Sequence, residues 1–191
     1  MEFSTAARLP TSHGLFQIQA VRGEDGDEHL LVIKGAIENQ DHIPVRIHSE
    51  CTTSSVFGSL RCDCDQQLIA TLDYFEAHDL GLLIYLRQEG RAIGLFNKIE
   101  AYALQDVGLD TVEANEKLGF PIDLRSYETA CRVIQHFGIK SIRLLTNNPL
   151  KLAALENFGV SVVERVPVHV AGNEHSRLYL DTKKAKMGHL L

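Results

Sequence analysis

Cys51, Cys62 and Cys64 lie close together in the stretch His48-Ser-Glu-Cys51 to Arg61-Cys-Asp-Cys64. Three thiolates are a soft ligand set suited to zinc, and three of them leave one tetrahedral position open. A catalytic zinc uses such a position to hold and activate a water. A structural zinc takes a fourth protein ligand, which His48 or another histidine could supply. A disulfide is the third option. It is disfavoured because the N-terminal residues Met1-Glu-Phe-Ser-Thr-Ala-Ala-Arg8 carry no secretory pattern, which together with four cysteines points to a reducing cytoplasm.

Two further segments have the chemistry of phosphate sites. Thr146-Asn-Asn-Pro-Leu-Lys151 stands where a strand feeds a helix, so free backbone N–H groups, the helix dipole and Lys151 could meet an anion. The plainer reading is an ordinary N-cap beside a solvated lysine. Arg87-Gln-Glu-Gly-Arg-Ala-Ile-Gly94 places two arginines and two glycines between a strand and a helix, a composition that suits a polyphosphate. It is not a Walker loop, because Gly-Lys-Ser/Thr is missing. Glu89 within it is open to three roles: a base, an acceptor for a nucleobase, or merely an arginine's partner. Tyr102 shares an apolar stripe with Leu95 and Ile99 and reads first as a core tyrosine. Asp123 and Arg125 could be a simple surface pair, and Cys131 is best read as a small buried hydrophobe.

These residues need a frame, and the chain supplies one. At 191 residues, 45% apolar and 23% charged, it can bury one good core, and it is expected to form a single domain over 1–191. A net charge of −6 argues against a sequence-independent nucleic-acid binder, and no apolar run is long enough to span a bilayer. Alternation predicts strands at 15–21, 30–33 and 43–47, with Asp25-Gly26 as a hairpin dipeptide between the first two. Leu68, Leu72 and Phe75 predict a helix after Cys64, ending near Asp79, and 82–86 reads as a buried strand. A helix follows Gly94, then an acidic connection from Asp106 to Asp123. Ser126 can cap a helix that runs through Phe137 and stops at Gly138. Strand 142–145, a helix opened by Asn148-Pro149 and ended at Gly159, and strand 160–163 make a βαβ unit. The expected fold is therefore α/β, a mixed sheet with helices on both faces and an N-terminal β-hairpin. Periodicity does not decide whether the basic tail is ordered.

Several segments together resemble a known family. Arg46-Ile-His-Ser-Glu-Cys51, Phe57-Gly-Ser-Leu-Arg-Cys-Asp-Cys64, Arg87-Gln-Glu-Gly-Arg-Ala-Ile-Gly-Leu95, Asn97-Lys-Ile-Glu-Ala-Tyr-Ala-Leu-Gln-Asp106, Asp110-Thr-Val-Glu-Ala-Asn115, Leu144-Leu-Thr-Asn-Asn-Pro149 and Tyr179-Leu-Asp-Thr-Lys183 resemble GTP cyclohydrolase II, in order and with few gaps. The first forty residues resemble it only loosely.

The resemblance implies a cytoplasmic zinc- and magnesium-dependent enzyme, a homodimer, that opens the imidazole ring of GTP at the start of riboflavin synthesis. The implied products are a diamino-ribosylamino-pyrimidinone phosphate, formate and pyrophosphate. It implies Cys51, Cys62 and Cys64 as zinc ligands. Contacts to GTP fall on Arg46, Ile47, His48, Ser49, Glu50, Gln67, Glu89, Gly90, Arg91, Thr111, Thr146 and Lys151. Tyr102 assists the chemistry, Asp123 takes a proton-acceptor role, and Arg125 is the family's proposed nucleophile. A protonated guanidinium is a poor nucleophile, so an electrostatic role for Arg125 is the physically preferred one. The chain departs from the family's Thr-Gly-Asp at Thr53-Ser54-Ser55, and has Asp65 where glycine is usual. Rival readings are a diverged enzyme that releases pyrophosphate without formate, and a non-catalytic nucleotide-binding protein with a structural zinc.

Overall fold

The structure is a computed structural model that describes residues 1–23, 26–188 and 190. Asp25 of the hairpin dipeptide therefore lies outside the described residues. In chain order the elements are β1 (Glu2–Phe3), β2 (Ala7–Thr11), β3 (Gly14–Arg22), β4 (Glu28–Lys34), β5 (Ile43–Ser49), α1 (Thr52–Ser55), α2 (Cys64–His78) and β6 (Gly81–Leu86). There follow α3 (Glu89–Ala92), α4 (Gly94–Asp106), α5 (Thr111–Lys117), α6 (Glu128–His136), β7 (Ile142–Leu145), α7 (Pro149–Asn157), β8 (Val162–Val166) and α8 (Arg177–Met187). By contacts the chain divides into two compact units. One holds 1–48, 68–87 and 126–168, and the other holds 49–67, 88–125 and 169–191.

The first unit contains the sheet, in the order β1-β3-β4-β6-β5-β7-β8, with β2 also paired to β3. Pairs β3–β4 and β4–β6 are antiparallel, whereas β5–β7 and β7–β8 are parallel, so the sheet is mixed as expected. Strand alternation sorts its side chains cleanly. Leu31 and Ile33, Ile43, Val45 and Ile47, Leu82, Ile84 and Leu86, and Ile142 and Leu144 join one core cluster. Tyr127, Ala130, Cys131 and Ile134 pack there from α6, at the i, i+3, i+4, i+7 spacing that gives a helix one apolar face. On the opposite face Leu68 and Leu72 of α2 meet Leu30, Val32, Leu83 and Tyr85 around an apolar cavity of about 140 Å³. Helices thus cover both faces, and Cys131 is core, 1% exposed, with burial pushing its thiol up to about 11.

Gly81 shows how closely α2 sits on the sheet. A Cβ there would lie 2.2 Å from the Phe75 ring, so no other residue fits without moving a fully buried phenylalanine. α7 starts as its sequence predicts, with Pro149 in the first turn and Asn148 Oδ1 accepting from the Leu150 amide at 3.0 Å. Some placements differ from expectation. β8 begins at Val162 rather than residue 160, and its pairing with β7 is irregular at that end, with a register shift between Ile142 and Arg143. The acidic connection contains α5, held by a capping box between Asp110 and Glu113.

The second unit holds α1, α3, α4, α5 and α8 with the loops between them. Its basic tail is ordered as α8. Lys183 Nζ reaches Asp63 Oδ1 at 2.8 Å, and Lys186 pairs with Asp110 and Glu113.

Candidate active site

The three cysteines converge in the second unit. Their sulfurs all lie within 4.8 Å of one another, and no other His, Cys, Asp or Glu joins them among the described residues. Cys51 Sγ and Cys62 Sγ are 3.6 Å apart. A disulfide would need about 2.05 Å. Two sulfurs on one tetrahedral zinc, each about 2.3 Å from it, stand about 3.8 Å apart. The donor set and its spacing therefore fit zinc with three protein ligands. Hydrogen bonds from Cys62 and Cys64 push Cys51 far below the ordinary thiol range, and the same contacts push Cys62 and Cys64 up.

The local sequence explains the convergence. β5 delivers the chain to Cys51, which precedes the single turn of α1, and Cys64 opens α2. The two departures from the family pattern touch each other here. The Ser54 hydroxyl, on a residue 2% exposed, accepts from the Asp65 amide at 3.1 Å and ties the Cys51 arm to the start of α2. Asp63, between the other two ligands, is 1% exposed and accepts from Lys183 Nζ and, at 2.5 Å, from Gln67 Nε2. Burial pushes its carboxyl up, but the Lys183 charge and these bonds outweigh it and hold the group below its usual range.

Around the sulfurs lies a polar chain that the sequence did not announce. Lys98, 8% exposed, donates to Cys51 Sγ at 3.2 Å and to Glu89 Oε1 at 2.7 Å. Glu89 also accepts from the Thr52 amide at 2.7 Å and the Gly90 amide at 2.9 Å. Its carboxylate is thus an ion-pair partner, of a lysine rather than an arginine. Tyr102 OH lies 3.2 Å from Thr53 Oγ1, which is 3.7 Å from Cys51 Sγ. Burial pushes the Tyr102 hydroxyl up to about 12. The buried face of α4 is rotated from the expected stripe toward Lys98 and Ala101. Leu95 and Ile99 are 45% and 46% exposed, while Lys98 and Ala101 face inward and Tyr102 is half-buried.

The loop before α4 is strained. Gly90, Arg91 and Ala92 all have left-handed backbones, with φ of 62°, 62° and 70°. For a residue with a side chain this costs about 1–3 kcal/mol and is characteristic of functional loops. Arg91 Nη1 is buried with no hydrogen-bond partner among the described residues, and its guanidinium lies 6.0 Å from the Tyr179 ring. Further along, Arg125 grips Asp123 with two bonds, Nε–Oδ1 at 2.9 Å and Nη2–Oδ2 at 2.5 Å. Burial opposes ionisation of Asp123. The Arg125 bonds and charge, with Arg91 behind them, still hold it below the usual carboxylate range.

The first unit holds the other predicted residues. Arg46 Nη1 donates to the Leu145 carbonyl at 2.9 Å, and Lys151 Nζ to the Ile47 carbonyl at 2.7 Å, so both buried cations brace the ends of parallel strands. His48 is buried and stacked on Tyr85, and the Thr146 hydroxyl accepts from the Asn148 amide at 3.0 Å. In the second unit Ser49, Glu50 and Thr111 are half-buried, Thr111 at the start of α5. Sequence reasoning missed Lys98 in its bracing role, Thr53 and the Asp63–Lys183 pair. A lysine one turn before Tyr102 was the one available signal.

Three cysteines at metal-binding spacing, beside a half-buried tyrosine and a strained arginine loop, give this mixed α/β protein the donor set of a candidate metal-site protein. Comparison with known proteins narrows the class. The profile of the family described as GTP cyclohydrolase II matches residues 2–167. A protein of Picrophilus torridus named GTP cyclohydrolase-2 is 48% identical over 190 residues, covering 100% of this chain and 99% of that one. The chain belongs to the GTP cyclohydrolase II family, whose members are hydrolytic enzymes. Riboflavin biosynthesis proteins RibBA of Synechocystis sp. and Bacillus mycoides are 50% and 51% identical. The chain covers only 34% and 46% of their lengths. A solved two-domain 3,4-dihydroxy-2-butanone 4-phosphate synthase, RibBX of A. baumannii, aligns at 16% identity with a TM-score of 0.47, over 86% of this chain and 40% of that one.

Proposed function

We propose that this protein opens the imidazole ring of GTP, giving 2,5-diamino-6-ribosylamino-4(3H)-pyrimidinone 5′-phosphate, formate and pyrophosphate. It does so as a zinc enzyme of the cytoplasm, with Mg²⁺ on the substrate phosphates and a second copy of the chain as partner. The observation that carries this reading is the cysteine triad at zinc spacing, linked through Thr53 to a tyrosine hydroxyl. Cys51, Cys62 and Cys64 would hold the zinc, which when bound supplies a Lewis acid beside the ring carbon that leaves as formate.

The chain's own residues supply the remainder. Tyr102 is the hydroxyl placed to hand a proton to the nitrogen freed as the ring opens, although burial pushes it up to about 12 and so makes it a weaker acid than a free tyrosine. Thr53 holds that hydroxyl in place. Pyrophosphate loss is a separate displacement that builds charge on phosphate oxygens. The buried N–H of Arg91 lacks a partner of its own, and such an orphan donor costs about 1–3 kcal/mol until a ligand satisfies it. Arg125, fixed by the bidentate grip on Asp123, acts electrostatically, and Asp123 serves first to orient it. As a proton acceptor Asp123 is weak, since its carboxyl is held low. Arg46, Ile47, His48, Ser49, Glu50, Gln67, Glu89, Gly90, Thr111, Thr146 and Lys151 remain the proposed GTP contacts, on the family resemblance.

The test is to incubate zinc-loaded protein with GTP and Mg²⁺ and to quantify formate and pyrophosphate together. Equal amounts are expected. Pyrophosphate alone, or neither product, overturns the full reaction.

A further inference from the structure

Lys98 is the least expected side chain of the second unit. Burying an ammonium costs several kcal/mol unless partners recover it. α4 nevertheless turns Lys98 inward and leaves Leu95 and Ile99 nearly half exposed, the reverse of what burial of apolar area favours. Two partners account for the inversion. Glu89 Oε1 holds the ammonium at 2.7 Å, and Cys51 Sγ accepts from it at 3.2 Å. Glu89 cannot swing away, because the amides of Thr52 and Gly90 hold the same carboxylate. The Thr52 amide belongs to the residue next to Cys51, so one carboxylate fixes both the ligand's backbone and the cation on its sulfur.

Three thiolates overcompensate a divalent cation and make it a weak Lewis acid. A hydrogen bond to a ligand sulfur withdraws density from that sulfur and returns electrophilicity to the metal. We propose that Lys98 is a positioning residue that tunes the metal centre, drawing charge from the Cys51 sulfur while Glu89 locks it there. The proposal rests on the metal reading given above, and it assigns distinct characters to the three ligands. Cys51 is the ligand whose sulfur carries a charge-assisted hydrogen bond from a buried ammonium.

Cobalt(II) is the probe, because thiolate-to-cobalt charge-transfer bands report the donor strength of the sulfurs directly. Wild-type protein loaded with Co²⁺ is compared with Lys98→Met, which keeps the length of the stem and removes the donor. The expected result is tight Co²⁺ binding in both, with the charge-transfer band of Lys98→Met displaced to longer wavelength. In the zinc forms, turnover should fall by about 10- to 100-fold, the usual effect of removing an outer-shell partner, with the KM for GTP little changed. Lys98→Met leaves the Glu89 carboxylate buried and unpaired. If that variant does not fold, Glu89→Gln/Lys98→Met removes both charges and is judged by the same band. A band at the wild-type position in the folded variant overturns the role of Lys98 and leaves the metal site standing. Wild-type protein that shows no thiolate–cobalt band overturns the metal reading itself.

Discussion

Lys183→Met should be among the most damaging single substitutions outside the sheet. Lys183 Nζ lies 2.8 Å from Asp63 Oδ1, and the two side chains are 9% and 1% exposed. The ammonium also lies 4.2 Å from the centre of the Tyr179 ring. Methionine keeps most of the stem and its packing, so the change isolates the charge. Asp63 would keep the neutral Gln67 amide as a donor, at 2.5 Å, but its carboxylate would lose the ammonium that compensates its buried charge. Removing one partner of a buried pair costs about 3–5 kcal/mol. For a protein of this size, each kcal/mol moves the melting temperature by about 2–4 °C, so the midpoint should drop by about 6–20 °C. The assay is thermal unfolding by circular dichroism in saturating zinc, with Asp63→Asn/Lys183→Met alongside. The double variant removes both charges and should recover most of the loss. A single-variant loss below about 1 kcal/mol, the range of an exposed pair, would refute the reasoning, as would a double variant no better than the single one.

Other outcomes follow from the same geometry. Cys62→Ser should bind less than stoichiometric zinc by elemental analysis and release no formate, while GTP binding by calorimetry persists; full zinc with full activity would remove the metal assignment. Tyr102→Phe should lower kcat by about 100-fold or more with KM unchanged, as loss of a proton donor does, and unchanged turnover would return Tyr102 to a packing role. Asp123 is held below its unfolded value, so its pair with Arg125 contributes fully above about pH 3.9 and is lost as the pH falls through the lower folded value. The stability difference between wild type and Asp123→Asn should therefore be flat from neutral pH down to about 4 and shrink only below it. An activity limb near neutrality must come from another group, and should persist in whatever activity Asp123→Asn retains.

Much of the frame was legible because hydrophobic periodicity is a local property. β3 to β7 fall where alternation or a continuous apolar run placed them, and α6 and α7 start near their expected capping residues. The failures have local causes too. β1 is two residues long and β2 contains Pro10, so neither shows a usable alternation. α5 was hidden by its acidity, although Asp110 and Glu113 stand at capping-box spacing. α8 is basic and weakly periodic. It is held by ion pairs to Asp63, Asp110 and Glu113, all far away in the sequence.

The site was legible in its ligands and illegible in what tunes them. Cysteines at short spacing announce themselves, because three soft ligands so close in sequence suit one metal ion. The rotated inward face of α4 left only one faint signal, the lysine itself. A stripe of Leu95, Ile99 and Tyr102 outweighs one lysine in any periodicity count, and only the long-range contacts decide otherwise. Lys98 meets Cys51 and Glu89, residues brought to it by α1 and by the left-handed turn at Gly90, Arg91 and Ala92. That turn is itself unreadable, since one glycine does not forecast two further residues in the same strained region. Exposed leucine and isoleucine, a buried cation and a strained turn each oppose stability taken singly. All three occur within one short segment beside the thiolates. Stability alone does not explain such a cluster, and the ammonium held at the Cys51 sulfur is the part of it that a metal site can use.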